Sequence, residues 1–214
     1  MALFYTQGGV FLLSKNLGVW IEGTIIAALA MALSFIPIDI GSSFSISLGM
    51  IPMTLYCFRR GFVPGIVASF LWGVLHFVVG KVYFLSVPQV LIEYLFAFLF
   101  IGFAGLFAKN VQLAIQNNSR KDWMKWIIIG TLVGTVARYF WHFVAGVVFW
   151  GEFAFGGMSP VVFSLVMNGA SGLATAIATI MVLSILAVKA PALFVPKDSR
   201  FLLKGARSTF LNSK

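Results

Sequence analysis

Apolar residues in this chain come in long runs, broken by short polar punctuation rather than by the regular alternation of a half-buried element. Six runs stand out: about Trp20 to Ile36, Ile46 to Phe58, Phe62 to Val79, Pro88 to Ala108, Lys125 to Phe149 and Pro160 to Val188. Most approach the ~20 residues that a helix needs to cross the hydrocarbon core of a bilayer. Pro37 closes the first run. Pro88 and Pro160 sit where a first helical turn tolerates proline, because its missing N–H would be unpaired there anyway. The pattern predicts an all-α integral membrane fold, a bundle of six transmembrane helices spanning residues 20–190. A cytoplasmic or interfacial segment, 1–19, precedes it and a basic tail, 191–214, follows.

Composition strengthens the membrane reading. Of 214 residues, 60% are hydrophobic and only 10% charged, against about 25% charged in soluble domains. Such a chain has no room for a soluble catalytic or nucleotide-binding domain. Lone Cys57 has no partner for an internal disulfide and reads as a small apolar helix residue. The N-terminus lacks the pattern of a cleavable signal, with Lys15 following only a weak apolar run.

The net charge of +9 could suggest nucleic acid, but its distribution points to membrane topology. Lys15, Arg59, Arg60, Lys109, Arg120, Lys121, Lys125, Lys189, Lys197, Arg200, Lys204, Arg207 and Lys214 fall on one side of the predicted bundle. The opposite loops hold only Lys81, and Arg138 lies within a span. By the positive-inside rule both termini are expected in the cytoplasm. The outer loops are then Pro37 to Ser45, Gly80 to Val87 and Trp150 to Ser159, the first and third rich in Gly, Ser and aromatics, as suits a lid. The polar stretch Asn110 to Trp123 reads as a solvated connection. The first and fourth spans share no repeat, which weighs against an inverted-repeat transporter.

Against this apolar background Glu93 is conspicuous, set in Leu91-Ile92-Glu93-Tyr94-Leu95. A carboxylate at membrane depth costs roughly 2.5–3.5 kcal/mol on insertion scales, so an intramembrane charge is a functional candidate by default. At 1.5 Å per residue, Glu93 lies ~8 Å below the outer end of its helix, His142 ~11 Å below its exit and Asn168 ~12 Å down. Trp150 stands at the mouth, and Arg138 one turn deeper than His142. Tyr83 and Tyr94 add π faces for stacking or cation–π contact, while Asn168 both donates and accepts. Together these suit a small, flat, polar and cationic solute.

Each residue also has a plainer reading. Glu93 could form a structural ion pair with Arg138 or Lys81, His142 and Asn168 could be interhelical glue, and Trp150 an interfacial anchor. His76 beside Trp72 reads as packing. Ala28 and Ala32 form a small-xxx-small face on the first helix, which permits close helix approach inside the protein or by a partner. There is no Walker-type phosphate loop, no cluster with metal-ligand spacing and no nucleophile with its base. An enzyme is therefore disfavoured. A stand-alone transporter in which Glu93 and His142 carry protons remains an alternative.

Taken as a set, these residues resemble the thiamin-specific substrate-binding subunits (S components) of energy-coupling-factor vitamin importers. The likeness runs from about Glu22 to Phe194. It is carried by Leu91-Ile92-Glu93-Tyr94-Leu95, by Tyr139-Phe140-Trp141-His142-Phe143 continuing to Trp150, by Phe163-Ser164-Leu165-Val166-Met167-Asn168-Gly169, and by Arg59-Arg60-Gly61. The resemblance implies six helices and thiamin as cargo, with no cofactor. It implies Glu93, His142, Trp150 and Asn168 as ligand contacts, with Tyr83 and Tyr94 beside them and Arg138 in place of a familial lysine. Ala28 and Ala32 would dock on a transmembrane coupling subunit, served by two ATPase subunits, in the plasma membrane of a prokaryote. Two further positions depart from the family: Ser43, with Phe44 beside it, replaces a loop tryptophan, and Phe163 replaces a tyrosine. With Arg138, these changes predict looser affinity or a shift toward a thiamin relative or another vitamin.

Overall fold

The computed structural model describes residues 7–36, 38–40, 44–199 and 201. Pro37, Ser43, Arg200, Lys204, Arg207 and Lys214 lie outside the described residues. The chain forms helical rods α1 (Gln7–Leu33), α2 (Met50–Arg60), α3 (Phe62–Val78), α4 (Val87–Gln116), α5 (Arg120–Phe149) and α6 (Pro160–Lys189). Before α2 comes a small antiparallel ribbon, β1 (Asp39–Ile40) on β2 (Phe44–Ser45), pairing Asp39 with Ser45 and Ile40 with Phe44. That ribbon has no signature in the hydrophobic pattern. Rods α4, α5 and α6 are each long and apolar enough to span a membrane, with shorter apolar helices at Leu17–Leu33 and Phe62–Val78.

Capping chemistry sets the starts of α4 and α6. Ser86 Oγ accepts from the Gln89 backbone N–H (3.3 Å) and Ser159 Oγ from that of Val162 (3.4 Å), each with proline in the first turn. Within α4 the helix widens to a π turn at Leu91–Phe96 and then tightens to 3₁₀ geometry over Phe100–Phe107. The tightened stretch carries Gly105 against the backbone of Gly61, which itself has φ 90°. A Cβ at Gly105 would lie 2.5 Å from the Gly61 carbonyl carbon, so only glycine permits this approach of α4 to the α2–α3 junction.

The stretch Asn110 to Trp123 is not a solvated connection. Rod α4 continues to Gln116, and the turn shrinks to Asn117–Ser119, where Asn118 adopts φ 52° and Ser119 N–H reaches the Ala114 carbonyl (3.0 Å). Polar composition hid an amphipathic helix end: Val111, Ala114 and Ile115 are buried. Buried Gln112 donates to the carbonyls of Phe58 (2.8 Å) and Arg59 (2.9 Å), which the end of α2 would otherwise leave unpaired. For the same reason α5 starts at Arg120 rather than Lys125.

Residues after α6 fold back onto this end. Phe194 and Val195 pack with Phe58, Trp123, Ile127 and Leu183, and Arg59 Nη1 donates to the carbonyls of Ala192 (2.9 Å) and Leu193 (3.1 Å). Glu22 of α1 pairs with Arg59 and with Arg60 (2.5 Å), and Arg60 reaches Asp198 (2.8 Å). Burial pushes the Asp198 carboxyl up, but the hydrogen bond and charge of Arg60 outweigh it and hold the group below its usual range. A carboxyl depressed on folding stabilises above its unfolded pKa, about 3.9, and that stability is lost as pH falls through the folded value. Asp198→Asn should therefore lower stability at pH 7 by about 0.2–1 kcal/mol, as for a partly exposed pair. The difference from wild type should shrink as the pH is lowered through the folded-state titration of Asp198, which thermal melts across acidic pH would check.

Candidate ligand-binding site

Three local features present Glu93. The Ser86 cap fixes the helix start, the π turn shifts the register of Glu93 and Tyr94, and Gly73 lets α3 lie against the Tyr94 carbonyl, where a side chain would collide. π turns recur at functional sites because they re-aim side chains that a regular helix would stack. Both carboxylate oxygens of Glu93 are held by N–H donors. Trp150 Nε1 donates to Oε1 (2.8 Å) and Gln89 Nε2 to Oε2. Donors on both oxygens suit an ionised carboxylate, which only accepts.

Neither expected structural cation reaches it. Among the described residues the ion pairs are those of Glu22 and Asp198. Lys81 donates to the Ser34 carbonyl and lies over the Phe35 ring (5.1 Å). Arg138 donates to Ser47 Oγ (2.8 Å) and stacks on Phe98 (4.3 Å) and Trp72 (5.2 Å). The ion-pair reading of Glu93 is thus replaced by a carboxylate oriented with neutral donors and paired to no cation among the described residues.

Rod α5 and its C-terminal cap carry Arg138, His142, Gly146 and Trp150 at four-residue intervals, a slowly turning stripe facing α4 and α6. His142 meets the rings of Tyr139 (5.5 Å) and Phe98 (6.4 Å), and Phe98 continues to Tyr94 (6.1 Å). Gly146 lets α6 close in: a Cβ there would lie 3.0 Å from Asn168 Nδ2 and collide with Ser164 Oγ. Asn168 donates to Ser164 Oγ (3.1 Å), which donates to the Phe143 carbonyl (2.8 Å). Glu93 and Trp150 therefore touch directly, while His142, Arg138 and Asn168 join through Phe98, Tyr139 and the α5–α6 contact. Tyr83 differs: the residue is 75% exposed, and it is its backbone N–H that donates to Tyr94 OH (3.0 Å).

Several polar contributors escape a reading by charge. Ser45 N–H donates to Ser171 Oγ (3.1 Å) and Ser47 N–H to Thr175 Oγ1 (3.1 Å), which also bonds Tyr139 OH (3.0 Å). These bonds staple the segment leading into α2 across α5 and α6. Gln89 was detectable in principle, four residues before Glu93 and so on the same helical face. His76 and Trp72 are buried in ring contact (6.0 Å), as packing predicts. Phe163 is buried against Phe155 (5.4 Å). Ala28 and Ala32 lie exposed on α1. Two surface grooves lie apart from Glu93. One of about 530 Å³ is wholly apolar, between Phe100, Val136 and Trp141; one of about 310 Å³ lies beside Glu152 and Pro160.

The sequence model described as Thiamine transporter protein (Thia_YuaJ) matches residues 20–195, a stretch that includes the Glu93–Trp150 pair. The chain belongs to this thiamine transporter family. The Thiamine transporter ThiT of Lacticaseibacillus paracasei is 40% identical over 190 residues, 87% of this chain and 94% of that protein. The Thiamine transporter ThiT of Bacillus subtilis is 30% identical over 183 residues, 84% of this chain and 95% of that one. A solved structure of ThiT from Listeria monocytogenes superposes with a TM-score of 0.84 at 52% identity, covering 85% of this chain and 100% of that chain. Thiamine transporter family membership and the long apolar rods make this a multi-pass protein of the cell membrane, in a family of transporters rather than of enzymes.

Proposed function

We propose that this chain is the substrate-binding subunit that captures thiamin from outside the cell. A transmembrane coupling subunit and two ATPase subunits of an energy-coupling-factor complex then drive import. The observation that carries the ligand is Glu93, oriented by Gln89 and Trp150 with no cation paired to it among the described residues. Thiamin brings a fixed positive charge and an aminopyrimidine N–H edge, and a carboxylate serves either. Trp150, His142 and Tyr94 offer ring faces, Asn168 a donor and acceptor, and Arg138 a cation at the deeper end. Tyr83 contributes through its backbone to the loop over Tyr94.

In this reading the six rods cross the membrane with both termini in the cytoplasm, which the 13 basic residues against Lys81 support. The exposed Ala28–Ala32 face of α1 is the docking surface for the coupling subunit, where small residues let helices approach closely.

Titrating purified protein with thiamin tests the ligand. Stacking near Trp150 should quench tryptophan emission, and Trp150→Ala should remove that response while the other five tryptophans remain. A wild-type protein that neither responds nor binds thiamin by calorimetry would return the site to a structural role. Reconstituted vesicles test the coupling: uptake should require the ATPase partners. Accumulation by the isolated chain on a proton gradient would favour proton coupling instead.

A further inference from the structure

Gln89 sits behind Glu93 with 0% exposure, and every hydrogen-bonding group of its amide except one acceptor lone pair is engaged. Oε1 accepts from the Leu85 backbone N–H (3.1 Å), while Nε2 donates to the Tyr83 carbonyl (3.1 Å) and to Glu93 Oε2. The backbone decides which way round the amide lies. Leu85 N–H is only a donor, so the oxygen must face it, and the nitrogen then meets two acceptors. A flipped amide would oppose donor to donor at Leu85 and acceptor to acceptor at Tyr83 and Glu93. The orientation is fixed by three contacts at once.

We propose that Gln89 is the positioning residue for Glu93, resting on the reading of Glu93 as the ligand's partner. It performs two tasks. It holds one carboxylate oxygen with a neutral donor, so the side chain is fixed while its negative charge stays available. A lysine or arginine in the same place would orient the group equally well but neutralise it. Gln89 also ties the carboxylate to the loop at Tyr83–Leu85, which Tyr94 OH grips from the same helix. Loop and carboxylate are thereby placed as one unit, and a loop displaced from Gln89 would free Glu93 to rotate off Trp150.

Two substitutions test this on the full chain in detergent. Gln89→Leu removes the donor at similar volume and should weaken thiamin binding about tenfold, the scale of one hydrogen bond to a charged group. Gln89→Glu keeps the acceptor for Leu85 but sets a second carboxylate against Glu93. At pH 8 it should bind at least about tenfold more weakly than wild type. As pH falls toward 5 the gap should close, because one proton shared by the two carboxyls restores the donor and leaves a single negative charge. Tyr83 and Tyr94, the titratable neighbours on the loop and helix, are the same in both proteins. His76 and His142 are likewise unchanged between the two proteins, so they cancel in the ratio. A purely structural role would cost stability but give no such pH-dependent ratio. In ligand-free protein, Gln89→Leu should also shift the part of the emission that Trp150→Phe removes. Wild type that binds thiamin and loses it on Glu93→Gln, beside a Gln89→Leu protein within twofold of wild type, overturns the positioning role alone. If Gln89→Leu does not fold, a Gln89→Glu to wild-type ratio flat across pH overturns it. Wild type that does not bind thiamin overturns the functional reading beneath it.

Discussion

Glu93→Gln should weaken thiamin binding by about thirtyfold or more, the effect of removing one partner of a buried charge contact worth roughly 2–5 kcal/mol. Two losses combine. The negative charge disappears, and one carboxylate oxygen becomes an NH₂ that must face an N–H donor, either Gln89 Nε2 or Trp150 Nε1. The substitution thus both discharges the site and unsettles its scaffold. Glu93→Asp keeps the charge but shortens the arm, so it should retain part of the affinity while losing the grip of one donor. Calorimetry on the purified variants, with thermal melts to show that they fold, measures both. Glu93→Gln binding thiamin as wild type does would make the carboxylate a structural group only.

The positions of the rods follow from the runs of apolar residues, because a bilayer rewards continuous hydrophobicity and proline and serine caps punctuate it. The longest stretch that escaped that reading has a clear physical origin. Polar residues whose partners are backbone carbonyls of another helix look like loop. Gln112 is the clearest case: in sequence it marks a solvated connection, in the structure it closes the end of α2 and extends α4 by two turns. The fold-back of Phe194 escaped for a different reason, an apolar pair in a basic tail with no helical period to betray it. In the candidate site, depth along a helix is legible but direction around it is not. Arithmetic at 1.5 Å per residue brings Glu93, His142 and Asn168 to one level. It cannot show that Arg138 turns to Ser47 and Phe98, that Tyr83 lies exposed, or that a π turn re-aims Glu93 toward Trp150. Those depend on azimuth, which only the packed neighbours decide.

The largest stability effect is expected at the other end of the molecule, from Phe194→Ala. The Phe194 side chain has 0% exposure and packs in the cluster with Phe58, Trp123, Ile127 and Leu183. Emptying such a position costs about 3–5 kcal/mol through lost contacts and the cavity left behind. The consequence should extend beyond the cavity. Phe194 anchors the segment whose carbonyls at Ala192 and Leu193 occupy Arg59, whose Ser199 hydroxyl donates to Gln112 Oε1 (2.5 Å), and whose Asp198 holds Arg60. With the anchor gone, Arg59 and Arg60 keep only Glu22 among these partners. The thermal midpoint should fall by several degrees and the segment Pro191–Ser199 should become open to limited proteolysis. Thiamin affinity should change little, because Gln112 and Glu93 stand roughly 30 Å apart along α4. A midpoint within a degree of wild type would mean that the fold-back contributes nothing to stability. A large loss of affinity in a protein that still melts cooperatively would instead show that this end of the bundle is coupled to the site through α4.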